Sequence, residues 1–217
     1  MAYFNLDVYQ FDALNAFTNA HLKTKVWIQF PPGIRSKGSV LLLLRALYGL
    51  RISPLLWFEL LSQTMQSIGL KPVPECACLF TNNKLIVFFY VDDIVVLSHP
   101  NDRTSYEAFR TAIMSHFELR EIGELKWFLG IRILRDRIHH KVWLCQDSYI
   151  AKVAKMFNLE HRKAKTPMIT DHLLKNDQQA TPTDIHRYQR KVGSIGYPAS
   201  ITRPDVCRTL QKLSEFL

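Results

Sequence analysis

The stretch from Leu85 to Leu97 constrains this chain more than any other part of it. Two runs of aliphatic, β-branched and aromatic residues flank one pair of adjacent carboxylates, Asp92 and Asp93, which reads as a buried β-hairpin with the acids at its turn. Asp93 by itself is a good turn former, because Asp tolerates the dihedral angles a tight hairpin needs. A pair of acids fits that plain role less well. At ~4 Å two carboxylates repel by about 1 kcal/mol even in water, and by more where water is scarce. A divalent cation removes the repulsion, and Mg²⁺ is held through one or two carboxylates together with the phosphates of a substrate. The pair therefore points to a phosphate-handling metal site, with a simple turn as the open alternative.

A third acid sits in a related setting. Leu6, Val8 and Phe11 form a short strand leading to Asp12, after which the sequence from Ala13 to Phe17 turns helical in composition. Asp12 thus lies near the C-terminal end of a strand, where α/β folds place ligands; a helix N-cap is its other available role. Pro31-Pro32-Gly33 marks a turn, Val40 to Leu44 a short strand, and Gly49 a bend. Next comes a helix with Ser53 as its cap, Pro54 in its first position, Trp57, Leu61, Met65 and Ile68 as its apolar stripe, and Gly69 at its end.

Beyond the acidic hairpin, Tyr106, Phe109, Ile113 and Phe117 recur at helical spacing. Leu125, Trp127, Leu129, Ile131 and Ile133 alternate as one strand, which returns through a turn at Asp136 to His140 into Val142-Trp143-Leu144. His139 and His140 read as exposed turn residues. A helix from Asp147 to Phe157 follows, then a polar connection around Thr166-Pro167 and Thr181-Pro182, then two helices broken at Thr202 to Asp205. The first of these carries His186, Arg187, Arg190 and Lys191 on its polar side. That face is either simply solvated or follows a phosphate backbone.

The fold class expected is α+β. Over residues 1–145 the order strand, helix, hairpin, helix, hairpin suits a ferredoxin-like antiparallel sheet with helices on one face. In such a sheet Asp12 and the Asp92 turn can be neighbours, bringing three carboxylates to one edge. The 217 residues are 47% hydrophobic and carry a formal charge of +9, which favours a globular protein with a phosphate-rich partner. Cys76, Cys78, Cys145 and Cys207 form no C-x-x-C pair and follow no secretory signal, so reduced intracellular thiols are expected. No apolar run reaches the ~18 residues of a membrane span, and no membrane partner is expected.

These residues resemble a known family. Tyr90-Val91-Asp92-Asp93 resembles the Y-x-D-D box of reverse transcriptases, and the order of its companions strengthens the likeness. Gln10 to Phe17 is similar to the first catalytic box of copia-type LTR retrotransposon polymerases, and Pro31-Pro32-Gly33 follows it. Ala46 to Arg51 with Ser53-Pro54 and Trp57 resembles the second box. Gly123 to Ile131 is similar to the primer-grip hairpin, continued by Leu144-Cys145-Gln146 and Tyr149-Ile150. Tyr188, Val192-Gly193-Ser194 and Thr202 to Asp205 resemble the thumb that precedes the RNase H part of such polyproteins. The likeness covers nearly the whole chain and suggests a fungal-like branch.

The resemblance implies a palm over residues 1–145, with a partial fingers segment at about 18–52, and a helical thumb over 146–217. It implies RNA-directed DNA polymerase chemistry, with Asp12, Asp92 and Asp93 holding two Mg²⁺ ions roughly 4 Å apart, Mn²⁺ being a substitute. Phe17 would sit under the deoxyribose and exclude a 2′-hydroxyl, an ordinary core Phe being the alternative. Gly49, Arg51, Tyr90 and Val91 would line the dNTP and template. Trp127, Phe128, Leu129, Gly130 and Ile131 would position the primer end, and Arg187, Arg190 and Lys191 would follow the template-primer backbone. Family analogy places such a protein in cytoplasmic virus-like particles or the nucleus.

The departures set further expectations. The chain begins almost on the first catalytic box, which suggests an N-terminally truncated copy lacking the fingers segment that carries basic residues for the triphosphate, and lacking integrase and RNase H. Ile52 stands where relatives usually carry a polar or basic residue, and Pro198 should kink its helix. On that expectation the chain alone has little polymerase activity. The alternative function is an inactive remnant acting as a basic nucleic-acid-binding module.

Overall fold

The computed structural model describes residues 1–33, 40–162, 164–168, 173 and 179–217. In chain order, its elements are β1 (Asp7–Ala13), β2 (His21–Gln29), β3 (Val40–Arg45), α1 (Ser53–Ser67), β4 (Lys71–Val73), β5 (Cys76–Thr81), β6 (Leu85–Tyr90) and β7 (Asp93–Ser98). These are followed by α2 (Arg103–His116), β8 (Leu119–Glu124), β9 (Trp127–Phe128), β10 (Ile131–Asp136), β11 (Lys141–Cys145), α3 (Asp147–Met156), α4 (Pro182–Ile201) and α5 (Cys207–Ser214). The chain divides into two units, Met1–Lys126 with Arg135–Val142, and Trp127–Leu134 with Trp143–Leu217.

The first unit is built on an antiparallel sheet of order β4-β5-β6-β7-β1-β8. Alternation along β1 sends Phe11 and Ala13 into the core, where they meet Val87, Phe89, Ile94 and Val96 of the acidic hairpin. The stripes of both helices, Trp57, Leu61 and Met65 of α1 and Tyr106, Phe109 and Ile113 of α2, enter the same cluster. Each fully buried side chain of this kind stabilises the fold by roughly 1.5 to 3 kcal/mol. The antiparallel sheet and its helices agree with the α+β class read from the sequence. β2 and β3 form a separate two-stranded ribbon whose Trp27, Val40, Leu41, Leu42 and Leu44 are exposed. At its base Ala20 and Ala46 pack with Leu56, and the Ala46 N–H donates to the Ala20 carbonyl at 2.9 Å.

Two local expectations are corrected. Ser53 does not cap α1: the cap position is Ile52, and the buried Ser53 hydroxyl donates to the Leu47 carbonyl at 2.7 Å and accepts from the Leu47 N–H at 3.1 Å. That reciprocal pair closes the loop around Gly49 instead of a helix end. The strand read across Leu125 to Ile133 is broken in two. Leu129 (φ 50°) and Gly130 (φ 78°) make a two-residue turn, so that Phe128 pairs with Ile131. Positive φ at both central positions is what a type I′ turn demands. β8, which pairs with β1, was not anticipated at all.

In the second unit β9 and β10 form that tight hairpin, and α4 packs on α5, where the Tyr188 hydroxyl donates to the Leu213 carbonyl at 2.7 Å. α4 runs from Pro182 to Ile201 with Pro198 inside it. Proline has no N–H for the carbonyl four residues back, Ser194. The Tyr149 hydroxyl supplies the missing donor, at 3.1 Å from the Ser194 oxygen. All four cysteines are free thiols, and among the described residues no helix is long and apolar enough to cross a membrane.

Candidate active site

The three acids lie at one end of the large sheet. Asp12, next to last in β1, pairs directly with Asp93 at the start of β7 on one side and with Arg120 of β8 on the other. Directly opposed residues of an antiparallel pair point to the same face, so Asp93, Asp12 and Arg120 form a cross-strand row. Phe11 and Ala13 point the other way, into the core. Gln10, two positions before Asp12 and on its face, donates from Nε2 to Asp93 Oδ1 at 2.8 Å. Arg120 donates from Nη2 to Asp12 Oδ2 at 2.6 Å.

Asp92 occupies the turn with Val91, since Tyr90 and Asp93 are register partners. The Asp92 carbonyl accepts from the Ala13 N–H at 2.8 Å, which fastens the turn to the end of β1. Val91 has φ 56°, a left-handed conformation that a β-branched residue adopts only under strain of about 1 to 3 kcal/mol. The indole N–H of buried Trp57 donates to the Val91 carbonyl at 2.6 Å and so holds the strained turn from below.

Burial pushes the Asp93 carboxyl above its usual range; the Gln10 bond opposes this, while the nearby Asp92 and Asp12 charges add to it. A carboxylate held among other negative charges is the kind of donor whose repulsion a hard divalent cation relieves. Among the described residues, however, no three His, Cys, Asp or Glu side chains converge as a finished metal cage, and one Asp12 oxygen is taken by Arg120. The residues fit a cation that completes its shell with substrate phosphates and water, for which one or two carboxylates suffice.

The other expected site residues fall in two groups. Phe17 is half-buried in a 3₁₀ turn at Ala16–Asn19, its ring 4.6 Å from that of Tyr48. Gly49 (φ 93°) and Arg51 are exposed in the loop before α1, and Tyr90 is exposed at the end of β6. These belong to the first unit. Trp127, Phe128, Leu129, Gly130 and Ile131 belong to the second, as the tight hairpin, and there the Tyr197 hydroxyl donates to the Leu129 carbonyl at 3.0 Å. Arg187, Arg190 and Lys191 are exposed on α4, with the Lys191 ammonium 5.9 Å from the Phe157 ring centre. Sequence reasoning assigned no role to Gln10 or Arg120. The period of two along β1 could have placed Gln10 beside Asp12; nothing local in the sequence marks Arg120.

Comparison with known proteins bears on the same residues. The chain is 28% identical to the Retrovirus-related Pol polyprotein from transposon TNT 1-94 of Nicotiana tabacum, over 98% of this chain and 17% of that protein. It is 32% identical to the Retrovirus-related Pol polyprotein from transposon RE1 of Arabidopsis thaliana, over 96% of this chain and 14% of that protein. A Putative transposon Ty5-1 protein of Saccharomyces cerevisiae is 28% identical over 95% of this chain and 68% of its own length. The chain thus spans less than a fifth of the two Pol polyproteins, at 17% and 14% of their lengths. Residues 2–170, which include all three acids and the hairpin at Leu129, match the family described as Reverse transcriptase (RNA-dependent DNA polymerase). This chain belongs to the reverse transcriptase family.

Proposed function

We propose that the chain is the catalytic part of an RNA-directed DNA polymerase of a copia-type retrotransposon, extending a primer on an RNA or DNA template with dNTPs. The observation that carries the reading is the pairing of Asp12 with Asp93 across β1 and β7 beside the Asp92 turn. Asp12, Asp92 and Asp93 would hold Mg²⁺, which supplies Lewis acidity at the primer 3′-hydroxyl and positive charge for the leaving pyrophosphate. The protein's own task is positioning, on which phosphoryl transfer depends almost wholly. The core behind Phe11 and Ile94 fixes the two strands that carry the acids, Gln10 orients Asp93, and Trp57 sets the turn.

In this reading residues 1–145 act as palm, about 18–52 as part of the fingers, and 146–217 as thumb. Phe17 selects the sugar, and Gly49, Arg51, Tyr90 and Val91 line the nucleotide. The Trp127 to Ile131 hairpin steadies the primer end, Arg187, Arg190 and Lys191 track the duplex, and other Pol parts are the partners. The relatives' names, Pol polyproteins of transposons, support it.

The test is primer extension on an RNA template with Mg²⁺ and dNTPs, alongside template-primer binding, for the chain and its Asp92→Asn variant. Extension that is lost in Asp92→Asn while binding remains supports this reading and sets aside the expectation that the chain alone has little polymerase activity. Equal extension by both overturns the assignment of the acids, and binding without extension by either favours the non-catalytic module.

A further inference from the structure

Arg120 occupies a position that the polymerase reading leaves without a task. It is directly opposite Asp12 in the β1–β8 pairing, and Asp12 is directly opposite Asp93 in the β1–β7 pairing, so two carboxylates and one guanidinium stand side by side on one face. The neighbours of Arg120 point the other way: Leu119 enters the core, and Glu121 accepts from the buried Tyr106 hydroxyl at 3.2 Å and from Arg110 of α2 at 2.8 Å. Arg120 therefore projects from the sheet face away from α2. Its side chain is 67% exposed, whereas that of Asp12 is 21% exposed, so the guanidinium covers the carboxylate from the solvent side.

We infer that Arg120 is a built-in counter-ion for the acidic turn, neutralising Asp12 when no metal is bound and competing with a divalent cation for the same carboxylate oxygen. This rests on reading Asp12, Asp92 and Asp93 as a cation site. The chemistry is simple: a guanidinium and a metal ion at Asp12 compete, since both carry positive charge and the guanidinium already occupies acceptor space on Oδ2. The pair is exposed enough to break readily, as a switchable counter-ion must, because ion pairs open to solvent are worth little net free energy. Arg120 is thus a positioning residue, acting on the site through its ion pair with Asp12.

The test is direct Mn²⁺ binding to the 217-residue chain, measured by electron paramagnetic resonance of free Mn²⁺, together with thermal unfolding in chelator and in excess Mg²⁺. Arg120→Ala should tighten Mn²⁺ about 2- to 5-fold, the factor that corresponds to a typical exposed ion pair. It should also lower the unfolding midpoint in chelator and restore it in Mg²⁺. Arg120→Lys, which keeps the charge, should stay near the parent affinity. Arg120→Gln serves as a second neutral variant where Arg120→Ala does not fold. Mn²⁺ binding that is abolished by Asp12→Asn yet unchanged or weakened in both neutral variants overturns the counter-ion role alone. Mn²⁺ binding indifferent to Asp12→Asn, or none at all, overturns the cation site and the counter-ion with it.

Discussion

Asp93 is the residue at which burial and neighbouring charge act together. Its carboxyl is raised by burial and by Asp92 and Asp12, against the pull of Gln10. An acid whose folded pKa lies above its unfolded one contributes its stability at low pH and loses it as the pH rises through the folded value. Ionised Asp93 therefore costs stability at neutral pH. Asp93→Asn should raise the urea midpoint at neutral pH in chelator, and the gain should fade as the pH falls below the unfolded carboxylate value near ~3.9. Added Mg²⁺ should shrink the gain, because a cation offsets the charge that the substitution removes. A gain independent of pH would show that packing, not charge, separates the two side chains. The positions of the three acids at strand ends were legible in the sequence because uninterrupted apolar runs and a short apolar strand lead directly up to them. Arg120 was not, because a cross-strand partner is set by register, and register is a property of two segments distant in sequence.

At the scale of elements, α4 shows how a proline survives inside a helix. Pro198 leaves the Ser194 carbonyl without its helical donor, and Tyr149, packed edge-on against Tyr197 at 5.2 Å, fills the place with its hydroxyl. Tyr149→Phe should cost about 1 kcal/mol of unfolding free energy. Pro198→Ala restores the N–H, so the same tyrosine substitution made in that background should cost clearly less. A double-mutant cycle with no interaction energy would remove the tyrosine from this role. Such a bond was beyond sequence reading, which saw only the proline and expected a kink.

The element errors have equally specific causes. The apolar alternation from Leu125 to Ile133 hid the turn at Leu129-Gly130, since leucine is not a turn residue and only Gly130 hinted at positive φ. β8 went unseen because this edge strand buries Leu119 and leaves the polar Arg120, Glu121 and Glu124 exposed, a pattern no different from a loop. The acidic hairpin, whose apolar runs are unbroken up to the acids, had no such ambiguity.

For the whole molecule, the formal charge of +9 should govern nucleic-acid affinity. Each phosphate neutralised releases counterions, so template-primer binding should fall steeply and linearly on a plot of log affinity against log salt. Arg190→Ala, at an exposed position on α4, should reduce that slope by about one. Fluorescence anisotropy across a salt series measures both, and an affinity indifferent to salt would set aside the electrostatic account.

The β2–β3 ribbon carries a consequence of a different kind, in time. Two strands that, among the described residues, pair only with each other are marginal in water, whereas β1 and β7 have neighbours on both sides and a core beneath. Amide protons of Val26 to Ile28 should exchange with deuterium orders of magnitude sooner than those of Phe11 or Val95. The opening should stop at Ala20 and Ala46, which are pinned to Leu56. Phe17 packs against that small cluster, at the boundary between a part of the chain that opens often and a part that hardly opens at all.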